Sequence, residues 1–204
     1  MNRTQKKLLI MVTTCLDRDE LIPETSTVGL PIGSTAIDFQ LKGVDGKNYS
    51  LKSFGDKKAV VVVFSCNHCP YAQAYEKRLV DIQHDYQSKG VTLVAINSND
   101  DVNYPEDSYE NMIRRAKEKQ FNFPYVRDET QDTAKSYGAI CTPHTFVFGK
   151  NRTLQYKGRI DDNWKEPSAV KTRDLRNALD AILAGRSPEV SETRPFGCSI
   201  KWKQ

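Results

Sequence analysis

Long hydrophobic runs are missing from this 204-residue chain, as are a surplus of charge of one sign, a dense set of cysteines, an internal repeat and any low-complexity stretch. The first absence excludes a membrane-spanning helix, which needs about 20 predominantly apolar residues in a row. The formal charge is only +4, and the basic clusters Lys57-Lys58, Arg114-Arg115 and Lys117 lie among acids. They read as solvated surface, and no nucleic-acid partner is expected. Five cysteines, Cys15, Cys66, Cys69, Cys141 and Cys198, are an odd count and too sparse for a disulfide-stapled secreted scaffold. The length suits one domain with a full core.

The start, MNRTQKKLLIMVTTC, sets basic residues before a short apolar run, in the manner of a secretory or lipoprotein leader. The run Leu8–Val12 falls short of the minimum of about seven residues for such a core, and Thr13-Thr14 is a poor cleavage context. A cytoplasmic protein is therefore expected, with export through this weak signal as the alternative, and Cys15 is read as incidental.

Residues 1–34 mix charge, Thr, Pro and Gly without period and form a lead-in; residues 35–185 are the domain, and 186–204 a tail. Within the domain, Ile37–Leu41 and Tyr49–Leu51 flank the turn Val44-Asp45-Gly46-Lys47 and predict a β-hairpin. The β-branched run Val60–Phe64 predicts a strand covered on both faces. A helix follows Pro70 and ends at Lys89-Gly90, Val91–Ile96 is the next buried strand, and a further helix is expected over about 105–120. Pro124–Arg127 is a short extended piece and Thr130–Tyr137 a short helix stopped by Gly138. Thr145–Phe148 and Leu154–Ile160 make a second hairpin, and Ala169–Leu183 an amphipathic helix with Val170, Leu175, Leu179 and Ile182 inward. This order implies an α/β fold with a mixed central sheet flanked by helices. In the tail, Cys198, Ile200 and Trp202 call for a surface to pack on.

The chemistry concentrates in AVVVVFSCNHCPY, residues 59–71, where two cysteines three apart follow a buried strand. Half a metal site, a structural staple and a reactive pair compete for it. A Cys66–Cys69 staple closes a tiny loop and gains little entropy. A metal reading would gather Cys66, Cys69 and Cys141 with His68 or His144, since thiolate and imidazole suit zinc and thiolates suit copper(I). A single Cys-x-x-Cys without a second close pair is weak support for it.

A strand, Cys66-Asn67-His68-Cys69-Pro70, a helix, and then Cys141-Thr142-Pro143-His144 opening a hairpin resemble the thioredoxin fold over roughly residues 33–184. With Gly197-Cys198-Ser199-Ile200-Lys201-Trp202, the pattern is more narrowly similar to bacterial peroxiredoxin-like proteins of AhpC/TSA type. The resemblance implies a three-layer domain and a thiol–disulfide oxidoreductase without a cofactor. Its substrate would be a protein or small-molecule disulfide or a peroxide, and its reductant a partner such as thioredoxin or glutathione. Cys66 becomes the nucleophile, its thiolate favoured at the N-terminus of a helix, and Cys69 the resolving thiol. His68 resembles the histidine of strongly oxidising relatives, whose charge stabilises the thiolate. Thr142-Pro143 resembles the family's cis-proline, which holds the Thr142 backbone beside Cys66 for a substrate strand.

The acid that thioredoxins bury in the strand before the first cysteine is missing from Val60–Val63. Its place as acceptor of the Cys69 proton falls to Asp161, Asp162 or another loop carboxylate, or to His144; solvated acids are the plainer reading of those loops. Cys141 and Cys198 are candidate further thiols near the pair. The peroxidase alternative needs Pro-x-x-x-Thr-x-x-Cys and an arginine, and here Val62 and Cys66 take the Pro and Thr positions while His144 stands where the arginine is expected.

Overall fold

The computed structural model describes residues 29–204; the leader question and Cys15 lie outside the described residues. Nine strands are described: β1 (Leu41–Gly43), β2 (Asn48–Tyr49), β3 (Ala59–Phe64), β4 (Val91–Asn97), β5 (Tyr125–Arg127), β6 (Cys141–Thr142), β7 (His144–Phe148), β8 (Leu154–Gly158) and β9 (Cys198–Ser199). Four α-helices join them: α1 (Pro70–Gln87), α2 (Tyr109–Glu118), α3 (Asp132–Tyr137) and α4 (Asp174–Leu183).

Seven strands form one mixed sheet in the order β2-β1-β5-β4-β3-β7-β8, with β3, β4 and β5 parallel and β7 antiparallel to β3. Every residue of β3 and β4 is buried, as the uninterrupted apolar runs predict for strands covered on both sides. Alternation divides them between two cores. Val61 and Val63 pack with Tyr75, Leu79 and Ile82 of α1, Met112 of α2, and Leu175 and Leu179 of α4. Val60, Val62 and Phe64 face Ala134 and Tyr137 of α3, the incoming Leu30 and Phe39, and Ile200 of the tail. Each buried Val or Phe contributes about 1.5–3 kcal/mol, so the two layers hold the C-terminal ends of β3 and β4 rigid below the Cys-x-x-Cys.

Several boundaries depart from the expected ones. The leading hairpin turns at Asp45-Gly46, where Gly46 has φ +80°, but its first strand begins at Leu41 rather than Ile37. Asp38 Oδ1 accepts from both Phe39 N and Leu51 N, which draws residues 37–40 out of the ladder. The helix expected over 105–120 is broken: a 3-10 turn at Pro105–Asp107 precedes Ser108, whose extended backbone and side chain, accepting from Asn111 N, start α2 afresh. The last helix starts at Asp174 rather than Ala169, because Asp162 takes the Lys171 N–H and Thr172 O accepts from Asp162 N, holding residues 170–172 extended. The strand Leu154–Ile160 ends at Gly158.

The tail docks twice. Residues 191–193 bond alongside Lys157, and a Cβ on Gly158 would lie 2.2 Å from Thr193 Oγ1. Further on, β9 pairs antiparallel with β6.

Candidate active site

The parallel run of β3 and β4 and the antiparallel return of β7 bring Ser65–Cys69, Asn97–Asp107 and Thr142-Pro143 to one end of the sheet. Thr142–Pro143 is a cis peptide, as the resemblance implies. Thr142 bridges the two cysteines: its Oγ1 lies 3.2 Å from Cys66 Sγ, and its carbonyl accepts from Cys69 Sγ at 3.1 Å. None of Cys66, Cys69, Cys141 and Cys198 is joined in a disulfide.

The helix start corrects one expectation. α1 begins at Pro70 with Cys69 as its N-cap, so the unpaired N–H groups of the first turn face Cys69, not Cys66. Hydrogen bonds from the Cys198 and Cys66 thiols, with the Ala72 N–H adding to them, hold Cys69 far below the ordinary thiol range. Burial pushes Cys66 up, and the bond to Cys69 and the Asp107 carboxylate push in the same direction. Cys69 is therefore the more acidic thiol of the pair, and on ionising it gives up its bond to Thr142 O.

His68 is not a lone imidazolium. Its Nδ1 lies 2.5 Å from Asp107 Oδ2, and its ring stacks on Tyr104 at 5.4 Å. The bond to Asp107 raises the His68 pKa against the opposing effect of burial. Asp107 is fully buried, and burial alone would raise its pKa; bonds from His68, Asn99 and Asn67 hold it below the usual carboxylate value. Asn67 N donates to Oδ1 at 2.6 Å and Asn99 Nδ2 to Oδ2 at 2.7 Å. Asp107 escapes the sequence reading because it sits 39 residues beyond His68, inside what reads as a continuous helix; the Pro105 turn that aims it was the available signal. The sulfur of Cys66, a ring nitrogen of His68 and a carboxylate oxygen of Asp107 lie within 4.8 Å of one another.

The other candidates stand elsewhere or do other work. Asp161 is buried and ion-paired with Arg78 at 2.7 Å while accepting from Tyr75, so it anchors α1 rather than facing solvent or the cysteines. Asp162 ties down residues 171–172. His144 packs on Phe146, and burial, with Lys157 acting in the same direction, lowers its pKa to about 3; its Nδ1 has no hydrogen-bond partner among the described residues. Thr142 turns toward Cys66, so Cys141 falls on the opposite side, where its thiol donates to Pro143 O. Cys198 does join the site, packed on Cys66, Cys69 and Ala72 with Tyr71, whose ring meets Trp164 at 4.3 Å. Of the residues the metal alternative would gather, Cys66 and His68 converge, with Asp107 rather than Cys141 or His144 beside them, and both Asp107 oxygens already accept hydrogen bonds.

The chain as a whole resembles known proteins. An uncharacterized conserved protein from Geobacillus kaustophilus is 43% identical and superposes with a TM-score of 0.81 over 85% of this chain and 93% of its own. A hypothetical protein of Sinorhizobium meliloti 1021 is 36% identical with a TM-score of 0.81, over 85% of this chain and 96% of its own. The thiol-disulfide oxidoreductase ResA of Geobacillus thermodenitrificans is 29% identical over 129 residues, 62% of this chain and 68% of its own. No described helix is long and apolar enough to cross a membrane. Residues 32–157 match the AhpC/TSA family model, and the chain belongs to the AhpC/TSA family.

Proposed function

We propose that the protein is a thiol–disulfide oxidoreductase in which Cys66 attacks a substrate disulfide and Cys69 resolves it. The observation that carries this reading is the convergence of both thiols on Thr142 of the cis-proline loop. Cys66 passes its proton to His68, made more basic by Asp107, and its thiolate breaks the substrate S–S bond. The expelled thiolate takes that proton from His68 and leaves as a thiol. Cys69, the more acidic thiol at the helix N-terminus, loses its proton to solvent and attacks Cys66 Sγ as the thiolate, forming the Cys66–Cys69 disulfide and releasing the second substrate sulfur as a thiolate. The enzyme is oxidised by two electrons and the substrate disulfide reduced by two; a small thiol such as glutathione, or a thioredoxin, reverses the exchange.

Insulin disulfide reduction by wild type, Cys66→Ser and Cys69→Ser tests the reading. Turnover at full rate is expected only in the wild type, with Cys66 trapped in a mixed disulfide in Cys69→Ser; an undiminished rate in Cys66→Ser overturns the assignment.

One observation supports a second reading, peroxide reduction: Cys69, followed by Pro70 at a helix start, is the more acidic thiol. There the Cys69 thiolate would attack one peroxide oxygen, breaking the O–O bond and expelling an alkoxide or hydroxide that leaves as alcohol or water once protonated; the resulting sulfenic acid would condense with a neighbouring thiol, forming a disulfide and releasing a second molecule of water. Among the described residues no hydrogen bond joins Cys69 to an arginine. Peroxide consumption faster than disulfide exchange would put this reading first.

A further inference from the structure

The cis-proline loop is already paired. Thr142, whose backbone a substrate strand would use, is matched in antiparallel register with Cys198 of the protein's own tail. Gly197 passes so close that a Cβ there would lie 2.1 Å from Thr142 O, so this approach admits no side chain. Beyond it the strand is fastened at several points. Ile200 is 3% exposed, Asp100 N and Gln131 Nε2 donate to Lys201 O, Lys201 N donates to Asn99 Oδ1, and Lys203 N donates to Gln131 Oε1. The tail therefore sets one cysteine in the place of a substrate residue, packed against Cys66 and Cys69.

We infer that Cys198 is a third exchanging thiol, an internal substrate that takes the disulfide from Cys66–Cys69 by attack on Cys69. The inference rests on the oxidoreductase reading above and extends it by one step. The Cys198 thiolate, its proton released to solvent or to a departing substrate thiolate, forms a bond to Cys69 Sγ. The Cys66–Cys69 bond breaks and Cys66 leaves as a thiolate. No electrons enter or leave; the two-electron oxidation moves from one pair to the next. Cys198 already shares a hydrogen bond with Cys69, and the Cys69 Sγ it would attack is held beside Thr142. The outcome is a tail locked over the groove while Cys66 is again a thiolate.

The test oxidises the full chain with oxidised glutathione, traps it with acid and maps disulfides by mass. In wild type the Cys66–Cys69 peptide should appear first and a Cys69–Cys198 peptide follow it. In Cys66→Ser, oxidised glutathione should modify Cys69, and Cys198 should displace the glutathione to give Cys69–Cys198 alone. In Cys198→Ser that bridge is lost while Cys66–Cys69 persists. A Cys66→Ser protein that keeps glutathione on Cys69, with Cys198 still a thiol, overturns the relay and leaves the oxidoreductase reading standing. If Cys66–Cys69 never forms in wild type or Cys198→Ser, the failure belongs to the underlying reading, and the relay falls with it.

Discussion

At the scale of single residues, the reduced pair is asymmetric. Cys69 has the helix N-terminus and two neighbouring thiols as donors, while Cys66 is buried beside the Asp107 carboxylate. Thiolate ultraviolet absorbance against pH should therefore show a low midpoint that disappears in Cys69→Ser and persists in Cys66→Ser; the reverse pattern contradicts the assignment. His68 and Asp107 set the reactivity of Cys66. Because the base form of His68 appears only above its raised pKa, the rate of disulfide exchange should climb through that value as pH rises. Asp107→Asn should move this limb down toward the ordinary 6.5 and lower the plateau, since the histidine becomes a weaker base. A limb that stays in place removes Asp107 from the chemistry. His68→Ala should leave the Asp107 charge unbalanced beside Cys66 and raise its pKa further.

At the scale of elements, what the sequence reveals depends on whether local pattern or tertiary contact decides. β3, β4 and α1 were legible, since a β-branched run and a helix bounded by Pro70 and Lys89-Gly90 each carry their own signal. The broken 105–120 helix was not, because the strength of the Ser108 cap against a continuous helix depends on Asp107 being held from outside by Asn67, His68 and Asn99. The cysteine pair and the cis-proline were legible from motif spacing, and Pro70, which fits the first helical position, was a signal that Cys69 is the cap, whereas the resemblance put Cys66 there. The tail's partner was equally hidden: Ile200 called for a surface, but nothing in the sequence marks it as the cis-proline loop. Gly197→Ala tests that docking. A Cβ against Thr142 O should release the strand, speeding alkylation of Cys66 and Cys69 with little change in global stability. Unchanged thiol accessibility would mean that the docked tail does not cover the pair.

At the scale of the whole molecule, two packed layers fix one end of a mixed sheet, and the tail closes over it. The buried His68–Asp107 pair links this site to stability. His68, raised in the fold, contributes stability that is full below its ordinary 6.5 and is lost as pH rises through the raised value. Asp107, lowered in the fold, contributes stability that is full above its ordinary 3.8 and is lost as pH falls through the lowered value. Denaturant midpoints should thus carry the pair's full contribution between 3.8 and 6.5 and decline on both sides, and Asp107→Asn should flatten the alkaline limb. The most direct test of the account is a redox titration of the Cys198→Ser chain, in which the disulfide cannot pass to the tail, in glutathione buffers, with each point acid-trapped and its disulfides mapped. The account predicts a reversible two-electron transition in which Cys66 and Cys69 become joined, with Cys141 remaining a thiol throughout. A chain whose Cys66 and Cys69 stay unlinked across the whole glutathione range, or are joined only irreversibly, would contradict it.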